Sequence, residues 1–335
     1  VLFGNTGLRV SELCLGSMAF GTSWGFGADS SESAKILNAY IDAGGNFVDT
    51  ANVYTDGEAE QIVGEAIHDI RNRIVLSTKY SLCTDSNNPN SLGNHRKNLI
   101  ASVEGSLKRL NTDYIDLLWV HAWYFENRPE DVVRALDDLV RAGKILYWGL
   151  SDTPAWVCSE CRTVADLRGW SPLSAIQFEY SLIERTSERE LIPFANNHNI
   201  AKLGWAPLAG GILSGKHHLA KPDKVDSLRK DRAANRRNGQ IDMIVEELIK
   251  LAKAIGVTPS QLALKWVMSR QPAFVPIIGA RTSKQLMENL QTADLAVDSE
   301  VLSKLTEISQ IELGFPDNFY NTGRTKFVMF SKFKD

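Results

Sequence analysis

Short apolar runs alternate with amphipathic stretches along nearly the whole chain, and this alternation constrains the fold more than any other feature. The runs are Leu13–Met18, Asn46–Thr50, Ile74–Lys79, Tyr114–His121, Ile145–Ser151, Ala175–Phe178, Ala201–Trp205 and Val275–Gly279. They are almost continuously apolar, as strands buried on both faces should be. Helical patterns lie between them, over Ser31–Ala43, Glu58–Asp69, Arg96–Leu110, Pro129–Ala142 and Gln240–Ile255. Ser30 with Ser33 can cap the first of these and Asn94 the third. Val257-Thr258-Pro259 sets a proline in the first turn of a further helix running through Met268. Eight strands alternating with helices predict an α/β fold, a (β/α)8 TIM barrel. A doubly wound sheet usually has fewer strands and a glycine fingerprint after the first. Gly16-Ser17-Met18-Ala19-Phe20-Gly21 does not fit that fingerprint.

At ~150 residues per domain, a chain of 335 residues suggests two domains. No compositional break or Pro/Gly/Ser linker divides it, so a single barrel domain over 1–335 is expected. The segment Lys216–Gly239 and the stretch from Asp298 lie outside the alternation, the latter as a helix followed by aromatic-rich chain. Thirty-seven Lys and Arg against 40 Asp and Glu leave a net charge of −3, which argues against a nucleic-acid partner. No run approaches the length of a membrane span, and no signal peptide is visible. Four cysteines (Cys14, Cys83, Cys158 and Cys161) are too few for a disulfide framework, which fits a reduced, cytoplasmic setting. Cys158 and Cys161 form a CxxC, expected in a helix on the barrel exterior, but no second ligand pair follows at useful spacing. His217 and His218 are adjacent and point apart. No metal site is therefore expected.

In a barrel, chemistry sits at the C-terminal ends of the strands. The second run ends with Asp49, and Tyr54 follows in its loop; the third ends with Lys79 and the fourth with His121. Each has a bland explanation alone. Asp49 can serve as a turn residue, Tyr54 as packing at the mouth, and His121 as a hydrogen-bonded core histidine. Lys79 is harder to dismiss, because a lysine closing so apolar a run must be paired or reach solvent. Their convergence at one end of three successive strands is what points to function.

Together the four suggest one chemistry. A phenol with a pKa of ~10 gives up its proton reluctantly at neutral pH, and a nearby ammonium favours the phenolate. An aspartate would pair that lysine and aim it, and a histidine N–H could hold a carbonyl oxygen as negative charge builds on it. The set suits protonation of an alkoxide as hydride reaches carbonyl carbon. The hydride would have to come from a nicotinamide, since no side chain supplies one.

With these residues in place, the sequence resembles the aldo-keto reductases from Gly7-Leu8-Arg9-Val10-Ser11 to Glu288-Asn289-Leu290. The resemblance rests on FVDTANVYTDGEAEQIVGEAI, SLKRLNTDYIDLLWVH, WAPLAGGILSGK and IIGARTSKQLMENL. It implies a TIM barrel whose closed end is capped by an N-terminal β-hairpin over residues 2–11, with a C-terminal extension. It also implies a catalytic tetrad of Asp49, Tyr54, Lys79 and His121. NADPH (or NADP+) would lie across the mouth. By the same resemblance Trp205 stacks on the nicotinamide, Ser151 and Gln177 hold its carboxamide with Asp152 beside them, Ser17 and Met18 flank it, and Asp49 also belongs to the cofactor site. Asp152 stands where many members carry Asn. Pro207, Leu208, Gly210 and Lys216 belong to the loop crossing the pyrophosphate. Gly279, Arg281, Gln285, Glu288 and Asn289 surround the adenosine and its 2′-phosphate, a pattern similar to the branch of the potassium-channel β subunits. The basic loop from Lys221 to Arg237 is either solvated or folds over the phosphates.

The expected substrate walls are aromatic: Phe20, Trp24 and Phe26, then Trp123, Tyr124 and Phe125, then Phe315, Phe319 and Tyr320, with Phe20, Trp24, Trp123, Tyr124 and Phe315 foremost. The resemblance implies a reductase acting on a small carbonyl or alcohol, or alternatively a cofactor-holding sensor like the channel subunits. It sets no natural substrate and no oligomeric state.

Overall fold

The structure is a computed structural model that describes residues 1–215, 238–270, 272 and 274–323. Eight parallel strands close into a barrel in chain order. They are β1 (Cys14–Gly16), β2 (Phe47–Asp49), β3 (Val75–Tyr80), β4 (Ile115–Val120), β5 (Ile145–Ser151), β6 (Ala175–Glu179), β7 (Ala201–Trp205) and β8 (Phe274–Ile278). The helices around them are α1 (Ser30–Asp42), α2 (Glu58–Ile67), α3 (Arg96–Arg109), α4 (Pro129–Arg141), α5 (Ala155–Arg168), α6 (Leu191–Asn197), α7 (Gly239–Ala254), α8 (Pro259–Met268), α9 (Ser283–Leu290) and α10 (Ser299–Ile308). A (β/α)8 TIM barrel is thus the fold, as the alternation of apolar runs predicts.

The strands read as continuous apolar runs because their two faces serve two cores. On β2 and β3, Phe47 and Val75 join the barrel interior while Val48 and Leu76 pack outward against helices. The same period-two rule turns Asp49, Ser77 and Lys79 inward. Register aligns Lys79 with Trp119, Trp119 with Gly149, and Gly149 with Ala175. One large indole thus fills the interior beside two of the smallest residues. A Cβ on Gly149 would lie 2.4 Å from the Trp119 ring and 2.8 Å from the Ala175 carbonyl oxygen.

The expected hairpin is present at the N-terminal end of the barrel. Leu2 bridges Arg9, Phe3 N–H donates to the Leu8 carbonyl at 2.9 Å, and Tyr147 Oη donates to the Thr6 carbonyl at 3.1 Å. Phe3 is buried within the interior cluster, its ring 5.3 Å from Phe47. That end of the barrel is plugged.

Several local expectations are corrected. Asp29, not Ser30 or Ser33, caps α1, accepting from Glu32 N–H at 2.8 Å. Its carboxylate suits the positive end of the helix better than a hydroxyl. His95 caps α3 through Nδ1, at 3.2 Å from Asn98 N. Asn94 instead bridges loops, accepting from Tyr124 N–H at 2.6 Å and donating to the Ala122 carbonyl at 3.0 Å. Thr258 and Gln261 form a full capping box at α8, with Pro259 at its first position as expected. β1 is shorter than Leu13–Met18 because Ser17 begins a turn, its carbonyl accepting from Phe20 N–H at 2.8 Å.

Candidate active site

The four strand-end residues singled out by the sequence meet at the C-terminal mouth. Lys79 Nζ donates to Asp49 Oδ2, to the Thr50 carbonyl at 2.9 Å and to Tyr54 Oη at 3.1 Å. All three ammonium hydrogens are thereby used. Burial alone would lower the Lys79 pKa, but Asp49 and then Tyr54 hold it above its ordinary value, so the ammonium stays charged. Asp49 Oδ1 faces a separate group of donors: Ser77 Oγ at 2.5 Å, Trp119 Nε1 at 3.0 Å and Gln177 Nε2 at 3.5 Å.

Tyr54 is aimed by an unusual backbone. The next three residues, Thr55, Asp56 and Gly57, have φ of 47°, 56° and 92°. Such angles cost free energy in non-glycine residues and persist only where surroundings enforce them. Here Thr55 Oγ1 donates to the Phe20 carbonyl at 2.7 Å and accepts from Ala59 N–H at 3.1 Å. Gly57 lies so close to the Arg109 side chain that a Cβ would come within 2.9 Å. Arg109 is fixed in turn by the buried Glu60, Nε to Oε2 at 2.7 Å. Burial raises the Tyr54 pKa, and the lysine beside it only partly offsets that. The phenol is therefore held protonated rather than pulled to phenolate, contrary to the expectation from the lysine alone.

The His121 ring stands edge-on to Tyr54, 5.9 Å between centroids. Burial and then the Lys79 charge push its pKa down to about 3, so the imidazole is neutral. Its buried Nδ1 has no hydrogen-bond partner. Ser17 Oγ, Thr50 Oγ1, Asn52 Oδ1 and Ser151 Oγ share that condition. These five orphaned atoms come from the ends of β1, β2, β4 and β5. Buried polar groups normally find partners, so their clustering marks a place built for a polar ligand.

The other expected positions divide. Met18 is 40% exposed beside the buried Ser17. Trp205 Nε1 donates to Asp152 Oδ1 at 2.9 Å, and Gln177 turns its amide toward Asp49. Pro207 is buried, Leu208 packs on the core, and Gly210 has a φ of 67°. Beyond β8, Gly279 is exposed, Arg281 N–H donates to Gln285 Oε1 at 3.0 Å, Glu288 offers its carbonyl to Gln261 Nε2 at 3.2 Å, and Asn289 is buried. Lys216, His217, His218 and the 221–237 loop lie outside the described residues.

Among the aromatic residues, Trp24 meets Tyr54 edge-on at 6.4 Å and Phe26 at 6.0 Å, a wall beside the phenol. Tyr124 is half-buried, and Trp123 is buried in the outer core. Phe20 is corrected: fully buried in that core, it offers no surface to a substrate. Phe315 is 86% exposed, its ring 6.3 Å from Phe319, which does not make an enclosed wall. Cys158 and Cys161 lie on α5, a helix outside the strand barrel as expected, and their thiols are buried against the core. Burial raises the Cys158 pKa to about 12. No metal-binding cluster exists among the described residues, and no described helix is long and apolar enough to cross a membrane.

Sequence reasoning missed Trp119, Ser77, Asn52 and Trp156. Trp119 was findable, since it lies two residues before His121 and so shares the inward face of β4. Trp156, 59% exposed in the first turn of α5, stacks on Phe125 from the segment after β4 at 6.4 Å, a contact distant in sequence that leaves no local pattern.

A family model described as the aldo/keto reductase family matches residues 12–310. A norsolorinic acid reductase of Aspergillus flavus is 35% identical over 329 residues, covering 95% of this chain and 83% of that protein. An aryl-alcohol dehydrogenase of Pestalotiopsis microspora is 33% identical over 332 residues, covering 96% and 85% respectively. An aryl-alcohol dehydrogenase [NADP(+)] of Phanerodontia chrysosporium is 33% identical over 337 residues, covering 95% and 87%.

Proposed function

The chain belongs to the aldo/keto reductase family, and from that premise we propose that it is an NADPH-dependent reductase of aryl aldehydes or ketones. The observation that carries the reading is the single Lys79 ammonium shared by Asp49 and the Tyr54 phenol. A protonated phenol fixed by a charged lysine is an acid placed to give its proton to a developing alkoxide. The neutral imidazole of His121 binds the carbonyl oxygen and, carrying no charge, holds it without competing for that proton. Trp24 and Phe26 give the substrate an aromatic wall beside Tyr54. The relatives named as aryl-alcohol dehydrogenases support an aryl substrate, and the one named as a norsolorinic acid reductase supports a reductase.

Bound nicotinamide supplies the hydride. The residues present fit it: the orphaned hydroxyls of Ser17 and Ser151 suit the polar edge of a carboxamide, and the half-buried Trp205 offers a ring face at the mouth. The NADP(+) in one relative's name supports the phosphorylated cofactor, with Arg281 as the cation for its 2′-phosphate.

Tyr54→Phe tests the reading. Turnover of an aryl aldehyde should fall by at least about a hundredfold, while NADPH affinity, followed by fluorescence, stays within about twofold. Retained turnover would overturn the assignment of Tyr54. A cofactor-holding sensor, the alternative, predicts slow NADPH loss with every compound in an aryl-carbonyl screen.

A further inference from the structure

The two oxygens of Asp49 do different work. Oδ2 takes the lysine, and Oδ1 takes neutral donors from three strands: Ser77 on β3, Trp119 on β4 and Gln177 on β6. The Trp119 indole N–H, at 3.0 Å, comes from a side chain with no solvent exposure. Its ring has its place because Gly149 carries no Cβ, which would lie 2.4 Å from it. An indole that served packing alone would not need to end on a carboxylate oxygen. The fold spends its largest interior side chain and a strand glycine to bring one N–H to Asp49.

We propose that Trp119 is a positioning residue for the proton-transfer pair, acting on Tyr54 through Asp49 and Lys79. This rests on the reading of Tyr54 as the proton carrier. The donors on Oδ1 fix the carboxylate plane so that Oδ2 alone faces Lys79, and they disperse part of its negative charge. The ammonium then keeps enough of its field for the phenol. Without the indole N–H, Asp49 carries more charge toward Lys79, the lysine is drawn to it, and the phenolate loses support.

The experiment is a titration of Tyr54 itself. In protein labelled with [13Cζ]tyrosine, with and without NADP+, the Tyr54 resonance is identified by its loss in Tyr54→Phe. Trp119→Phe keeps an aromatic ring but removes the donor together with the indole's second ring, so Tm is followed beside the titration. It should raise the Tyr54 pKa by about half a unit or more. Ser77→Ala, which removes the 2.5 Å donor to the same oxygen, should move it in the same direction and decides the matter if Trp119→Phe does not fold. An unchanged or lowered Tyr54 pKa in the folded variant overturns the proposal, since a packing role alone would lower Tm and leave the titration in place. Active Tyr54→Phe would instead overturn the assignment of Tyr54, whatever Trp119 does.

Discussion

Glu32 on α1 accepts both the backbone N–H and the hydroxyl of Ser283, each at 2.9 Å, at the first residue of α9. A carboxylate thus occupies a helix N-terminus, where anions are favoured. Those hydrogen bonds from Ser283, backbone first, hold the Glu32 pKa below its ordinary value. If Arg281 binds the cofactor's 2′-phosphate, Glu32 opposes it from α1, across the turn it contacts. Glu32→Gln should raise the preference for NADPH over NADH severalfold at low salt, and Arg281→Ala should reduce it, both read from dissociation constants by fluorescence titration. An unchanged ratio in both would remove this turn from cofactor selection.

Reaction direction should be separable by pH. With burial holding the Tyr54 pKa above its ordinary value, reduction should stay flat through the neutral range and into mildly alkaline pH. Alcohol oxidation, which needs the phenolate, should rise by up to about tenfold per unit over the same range. Initial rates with one aryl aldehyde and its alcohol would test this. A reduction rate that halves between pH 7 and 8 would assign the proton to another group.

Acid should find His121. The unfolded chain protonates this residue near 6.5, whereas the folded protein resists protonation down to about 3. Its pKa is depressed on folding, so its share of stability is complete above 6.5 and is lost as pH falls toward 3. The Tm of His121→Asn should therefore fall less steeply than that of the native protein between pH 6.5 and 4.

Gly149→Ala should cost roughly 1–3 kcal/mol in urea unfolding, because its methyl meets the Trp119 ring and a backbone oxygen that cannot both retreat. Gly143→Ala should behave differently, through strain alone, since nothing lies near its Cβ.

The CxxC should be inert. Burial holds both thiols protonated, and Cys158 reaches a pKa of about 12. Chelator should leave Tm and activity unchanged, and Cys83, the exposed thiol, should be the one that reacts with an alkylating reagent at neutral pH.

The barrel was legible because burial on both strand faces leaves long apolar runs, and that pattern survives without knowledge of any contact. Asp49, Lys79 and His121 were legible for a related reason: a charged or polar residue ending such a run has few ways to be tolerated. Phe20 misled because an aromatic residue after a strand can turn to the mouth or to the helices, and only packing decides. Capping misled at Ser30 because Asp29 sits one residue earlier with a stronger acceptor for the helix end. The raised Tyr54 pKa was hidden because charge proximity can be guessed from sequence, but the depth of burial opposing it cannot.

Phe3 and the hairpin plug one end of the barrel, and Trp119 fills the middle. Ligands therefore have one face of the barrel to approach, the mouth where Asp49, Tyr54, Lys79 and His121 lie. On the proposed reading, cofactor and substrate meet at that one mouth, and an ordered sequence with cofactor first is expected, which product-inhibition patterns in initial rates would check.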